Sequence, residues 1–189
     1  MKAKHSLSYY IGNFFIVSSL VGFLFLFYPV IGIYLFPPHI KSQKAVAQQK
    51  GTFLTIPKIS AQAPVIENVD PNNEAVYMQA LKKGVAQAKG TALPGHPGTV
   101  FLFAHSSGAP WDMTRMNTVF LKLGELNAGD SIIIERKGVI IHYKVRDKKE
   151  VLPTEVGYML STKRNQLILQ TCTPIGTSLK RLLVFADPQ

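Results

Sequence analysis

The chain of 189 residues contains a single cysteine, Cys172, in the stretch QLILQTCTPIG, Gln166 to Gly176. A lone thiol cannot form an internal disulfide, so it is a small buried core residue, half of an intermolecular bridge, or a reactive nucleophile. The last of these requires a histidine or cation that stabilises the thiolate. Five histidines are available. His5 and His39 flank a long apolar run. His142 sits inside the alternating stretch VIIHYKVRD, where a packed or solvent-facing strand residue is expected. His96 lies in the turn-like LPGHPGT. His105 follows the apolar TVFLFA and opens the small, polar HSSGAP, a position at the mouth of a strand where chemistry is commonly mounted.

The elements that must position these groups read mostly as strands. FLTIPKI, APVIE, GTVFLFAH, DSIIIER, VIIHYKVRD, KEVLPT, QLILQTC and RLLVFA are short β-branched or aromatic runs separated by Gly, Pro, Asn or Asp. Many short strands in one unit predict a small closed barrel or a sandwich. Two helical stretches interrupt them. In DPNNEAVYMQALKKG, Asn72 or Asn73 is a suitable N-cap, Val76, Ala80 and Leu81 form an apolar face, and Gly84 is a stop. In NTVFLKLGEL, Asn117 or Thr118 caps a short turn, with Phe120, Leu121 and Leu123 as core residues. Lys137 to Val139 reads as a hairpin turn without the favoured Asn-Gly or Asp-Gly pair.

Ahead of these strands, no Asp, Glu, Lys or Arg occurs between Lys4 and Lys41. The run from Phe14 to Phe36 is long enough for a hydrocarbon core about 30 Å thick, which takes roughly 20 apolar residues at about 1.5 Å each. Pro29 inside it is better tolerated in a membrane helix than in a soluble one. A cleaved export signal competes, since Ala45 and Ala47 form an Ala-x-Ala triplet, although such a signal has an apolar region of only about 7 to 15 residues. Lys2 and Lys4 precede the run and Lys41, Lys44 and Lys50 follow it, so charge alone sets no orientation. The expected organisation is a short N-terminal segment 1–13, a transmembrane helix 14–36, a polar, proline-led linker 37–51 and a globular unit 52–189. Most of the net charge of +10 lies beyond the span. It suits an anionic membrane surface or cell-wall polymer, or an ordinary solvated face.

The order FLFAHSSG, LILQTCTPIG, KRLLVFA resembles the sortase family, and the resemblance runs from about Phe53 to Ala186, with IPKI and ALPGHPGTVFLFAH included. It implies a mainly β fold, a closed barrel of about eight strands with short helices after one N-terminal transmembrane helix. It makes Cys172 the nucleophile, His105 the general acid/base and Arg181 the cation that holds substrate and the charged intermediate, with Thr171, Ser106 and Thr173 beside the substrate. Leu169, Gln170, Thr171 and Cys172 fit the family's Leu-x-Thr-Cys strand end, while Ile168 stands where threonine is usual, a packing change. The short connection from Thr173 to Lys180, with Pro174 and Gly176, resembles a form found in pilin-type and some small sortases. No second apolar span near Gln189 and no aromatic lid motif before the first strand are seen in the sequence, which favours a small or general-anchoring type.

The implied chemistry agrees with what acyl transfer from a peptide demands: a nucleophile, a proton donor for the leaving amine, and a donor facing the tetrahedral oxyanion. A thiol of ordinary pKa near 8.5 is only slightly ionised at neutral pH, and burial in a barrel wall opposes ionisation, so slow turnover with a bell-shaped pH profile is expected. The expected partners are a Leu-Pro-x-Thr-Gly-like sorting signal on exported proteins, an amine acceptor of cell wall or pilin, and the membrane, with the unit outside the cytoplasm. Nucleic acid is not expected. No cofactor or metal is expected either, since zinc spacings and a glycine-rich phosphate loop are missing from the sequence. The competing class is a non-catalytic, membrane-tethered β-domain that binds wall polymer or peptide, with Cys172 merely buried. A papain-like hydrolase fits poorly, because there the cysteine precedes the histidine.

Overall fold

In the computed structural model, which describes residues 6–35, 51–106, 118–160 and 164–189, the β-branched runs form eight strands. They are β1 (Thr52–Ile56), β2 (Ala61–Val69), β3 (Val85–Ala88), β4 (Thr99–Phe103), β5 (Ser131–Arg136), β6 (Val139–Val151), β7 (Gln166–Thr173) and β8 (Lys180–Pro188). They close into a barrel in the order β1-β2-β3-β4-β7-β8-β6-β5. The β2/β3 and β4/β7 pairs are parallel. The interior is filled by fully buried side chains from all round the ring, among them Leu54, Phe101, Ile134 and Leu167. Phe120 and Leu123, from the segment between β4 and β5, join this core as the sequence predicts. His5, His39, Asn117 and residues 37–50 lie outside the described residues.

The count of eight matches the eight runs of the sequence, but the strands are not the same eight. VIIHYKVRD and KEVLPT merge into the single β6, whose register against β8 shifts between Val145 and Asp147. Arg146 is the extra residue of that bulge, and its guanidinium is spent on Asp187 Oδ1 (2.5 Å) and Gln166 Oε1 (3.2 Å). The unanticipated strand, β3, reads VAQA, with two alanines and a glutamine that carry little strand propensity. Gln87 is nonetheless 1% exposed. Its Oε1 accepts from the Asn68 N–H (2.7 Å), and its amide donates to Ala88 O (2.6 Å) and Thr91 Oγ1 (2.8 Å), so the polar group is satisfied where it is buried.

The short helix α2 (Glu74–Leu81) begins at Asn73, whose Oδ1 accepts from Val76 N–H at 3.2 Å. Ala80 and Leu81 are buried against the barrel, whereas Val76 is exposed, which corrects its place on the predicted apolar face. The helix ends before Gly84, and a Cβ there would come 2.2 Å from the Pro64 carbonyl oxygen, so Gly84 is required by close approach to β2.

The N-terminal unit is the helix α1 (Leu7–Leu35), which continues through Pro29 and starts seven residues ahead of the predicted span at Phe14. Its segment Leu7–Tyr28 has a mean hydropathy of 2.0, long and apolar enough to cross a membrane, and is compatible with a membrane anchor.

At one rim of the barrel, Arg136 at the end of β5 donates through Nε to Glu67 Oε1 on β2 (2.7 Å), and Thr52 Oγ1 on β1 donates to the same oxygen (2.5 Å). Three strands are thereby tied by one carboxylate. The Arg136 hydrogen bond is the chief reason that the Glu67 carboxyl titrates below its ordinary range, against the opposing effect of burial. A carboxyl lowered in the folded state stabilises the fold fully above its unfolded pKa near 4.5, and that contribution is lost as pH falls through the lower folded value. Glu67→Gln is therefore expected to lower stability at pH 7 by about 1 to 2 kcal/mol and to flatten the acid limb of the stability profile. Denaturant unfolding of detergent-solubilised protein at several pH values measures both.

Candidate active site

Cys172 occupies the last turn of the β7 ladder because β7 is paired on both sides along its length. On one side it runs parallel to β4, with Phe103 beside Gln170, and Ala104 extends that ladder by donating its N–H to Gln170 O at 3.1 Å. His105 follows Ala104 directly, two residues past the end of β4, on the side of β7 opposite β8. On the other side β7 is antiparallel to β8, and Cys172 stands directly opposite Arg181. Cross-strand partners project to the same face of a sheet. Thus three residues separated by up to 76 positions in sequence belong to three adjacent chain segments: Cys172 on β7, Arg181 on β8 and His105 just past the end of β4. Cys172, His105 and Arg181 are each partly exposed.

The geometry at the chain before the thiol is held by Thr171. Its side chain is 4% exposed and its hydroxyl donates to the Ala104 carbonyl at 3.0 Å. By strand alternation it points away from the face carrying Cys172, so it ties β7 to β4 immediately before His105. Ser106 is buried just beyond the histidine. Thr173 Oγ1 reaches Glu150 Oε1 on β6 at 3.4 Å, and Lys180, its partner across the hairpin, donates to Glu150 Oε2 at 3.0 Å. Glu150 was not anticipated from the sequence. It is one acid in a run of mixed charges, and only the β6/β8 pairing brings it to this hairpin.

The β7–β8 connection is folded on itself. Thr177 donates to Pro174 O through both its N–H (3.0 Å) and its hydroxyl (2.8 Å), and the Thr173–Pro174 peptide is cis. Gly176 takes a φ of 81°, a conformation that suits glycine. Arg181 Nη1 donates to Ser178 O (3.0 Å) and Lys180 O (3.2 Å), which fixes the root of the guanidinium while other N–H groups of the fork remain to address an anion.

Apolar side chains are exposed at this end of the barrel. Ile175 and Leu179 belong to the β7–β8 connection, and Leu152 and Val156 follow β6. After them comes the short helix α3 (Gly157–Leu160), whose Tyr158 packs edge-on against Phe185 of β8, with ring centres 5.9 Å apart, and accepts the Lys149 ammonium at 2.6 Å. His142 and His96 lie elsewhere: His142 is exposed on β6, and His96 is exposed beside Arg136, with Nε2 and Nη1 3.4 Å apart. Among the described residues, no group of three or more His, Cys, Asp or Glu side chains is arranged to hold a metal ion.

Residues 54–189 match the family model described as the Sortase domain. Sortase D of Bacillus subtilis (strain 168) is 30% identical over 148 residues, covering 76% of this chain and 66% of that protein, just under two thirds of its length. The solved sortase C-1 of Actinomyces oris has a TM-score of 0.61 at 28% identity, covering 73% of this chain and 72% of that one. The pilus-related sortase C of Group B Streptococcus has a TM-score of 0.61 at 26% identity, covering 82% of this chain and 75% of that one.

Replacing Thr171 by valine keeps its shape and leaves the Ala104 carbonyl without its donor, a change expected to destabilise by about 1 to 3 kcal/mol. Alkylation of Cys172 in the folded variant should also change rate, because the β4 and β7 strand ends lose their link. Thermal unfolding and thiol-labelling kinetics report the two effects separately.

Proposed function

The chain belongs to the sortase family, whose members are cysteine transpeptidases, and on that premise we propose that it cleaves a Leu-Pro-x-Thr-Gly-like sorting signal and joins the released acyl group to an amine. The observation that carries this reading is the direct pairing of Cys172 with Arg181 across β7 and β8, with the β4 strand end beside them.

In the proposed reaction the Cys172 thiolate adds to the scissile carbonyl carbon. The resulting oxyanion is stabilised by the Arg181 guanidinium. Protonated His105 gives its proton to the leaving amine as the C–N bond breaks, leaving a thioacyl enzyme. An acceptor amine then attacks the thioester carbonyl and loses its proton to His105 while the C–S bond breaks, which restores thiolate and imidazolium. Thr173 borders the peptide, and Ser106 and Thr171, buried beside the histidine and the thiol, support the site from within, with the Thr171 hydroxyl kept on Ala104. The exposed Leu152, Val156, Ile175 and Leu179 suit the apolar residue of such a signal.

We assign α1 as the anchor, with 1–13 on the cytoplasmic side, 14–36 in the bilayer, 37–51 as linker and 52–189 as the catalytic unit outside. The substrates are then exported surface proteins, and the acceptor is an amine of cell wall or pilin.

Intact-protein mass spectrometry with a panel of sorting-signal peptides is expected to show an acyl adduct on the native chain and none on Cys172→Ala, whose fold persists. His105→Ala should slow transfer by about 10²- to 10⁴-fold. Arg181→Ala should slow it by about 10²- to 10³-fold, with partial recovery in Arg181→Lys. The rate should follow a bell-shaped pH dependence, and a rate that climbs without limit into alkali overturns the acid role of His105.

A further inference from the structure

The two rims of the barrel differ in what they expose. Cys172 and Arg181 lie at the rim where β6 ends, since Arg181 pairs with Val151. The opposite rim carries the β5–β6 hairpin tip, because Arg136, at the end of β5, pairs with Val139, at the start of β6. From Val139 to Val151 the strand rise amounts to roughly 40 Å, less where β6 twists and bulges. The chain also enters the barrel at the hairpin rim, where Thr52 pairs with Arg136.

At the hairpin tip Val139 is 61% exposed and Ile140 42% exposed. Single exposed apolar residues are ordinary, but these two are adjacent, β-branched and held out by a tight turn. Lys137 and Gly138 form that turn with φ of 50° and 79°. Both central residues have positive φ, a conformation that favours Asn or Gly in the first position, so a cation is held there against its local preference. Lys137 is exposed, and the neighbouring carboxylate Glu67 is already engaged by Arg136. His96 and Pro97, exposed on the β3–β4 connection, stand beside the same rim through the His96 contact with Arg136.

An apolar pair next to a lysine is what an anionic lipid interface accommodates: the side chains enter between head groups and the ammonium meets their charge. We propose that the hairpin tip, Lys137 to Ile140, docks on the anionic bilayer surface and holds the barrel with its thiol rim turned away from the membrane. This rests on the reading of α1 as the anchor, which holds the chain at the bilayer at high effective concentration, so a small contact suffices.

The full chain, in a Cys172→Ala background, carries an environment-sensitive fluorophore on Val139→Cys or, at the thiol rim, on Thr177→Cys. Each is placed singly in nanodiscs of phosphatidylcholine with or without phosphatidylglycerol. With phosphatidylglycerol present, the label at 139 should be quenched by head-group nitroxide lipid and protected from acrylamide, while the label at 177 stays accessible. Lys137→Asn, which suits the turn better, should weaken docking about fivefold. A chain that stays with the nanodisc but leaves position 139 as accessible as 177 overturns the proposal and leaves the anchor standing. Protection from acrylamide without nitroxide quenching also overturns it, in favour of a protein surface covering the tip. A chain that does not stay with the nanodisc overturns the anchor reading and this proposal with it.

Discussion

Strand β7 is hydrogen-bonded on both edges, parallel to β4 and antiparallel to β8, and this double pairing sets the positions of everything around the thiol. A parallel neighbour fixes register along one edge and an antiparallel neighbour fixes it along the other, so a slip of one residue would turn every side chain of β7 to the wrong face. Leu167, Ile168 and Leu169 are all fully buried, so both faces of β7 are packed and a slip would exchange side chains of different shape on each of them. Core packing at the start of the strand therefore specifies the placement of Cys172 at its end. The Thr171 to Ala104 hydrogen bond extends that control past the last ladder residue of β4.

Polar groups elsewhere in the barrel act in the same way, each binding strands that sequence distance keeps apart. Glu67 joins β1, β2 and β5, and Gln87 fastens β3 to β2 and to the turn that follows β3. Asp187 receives Arg146 from the bulge of β6 and Arg164 from the approach to β7. Replacing one partner in such a cluster strands the other, which is why partly buried charges count for more here than the exposed pair between Lys180 and Glu150.

Much of this was legible in the residues. Strong β-branched runs such as DSIIIER and QLILQTC announce themselves as strands because their burial depends on local composition, and the lone thiol with a histidine after an apolar strand narrows the chemistry. Other features depend on pairing and leave little mark in sequence. VAQA has the composition of no particular element and becomes a strand only between β2 and β4. VIIHYKVRD and KEVLPT look separate because the bulge at Arg146 interrupts their alternation, although the backbone runs on. Val76 has the right spacing for the apolar face of α2, yet so short a helix turns Tyr77, Ala80 and Leu81 to the barrel and leaves Val76 outside. Glu150 could not be singled out, since its relation to Thr173 and Lys180 exists only across two strand pairings.

The ring order has a consequence for biosynthesis. Parallel pairing of β4 with β7 needs a long excursion of chain between them, and β8 must then insert between β7 and β6 to close the ring. Contacts of such wide sequence separation form late and slowly. A chain emerging amino-terminus first can fold β1 and β2 as a hairpin early, but the ring cannot close before β8 has emerged. The thiol thus acquires its neighbours in the same event that completes the fold, and a partly synthesised chain carries Cys172 without Arg181 opposite it.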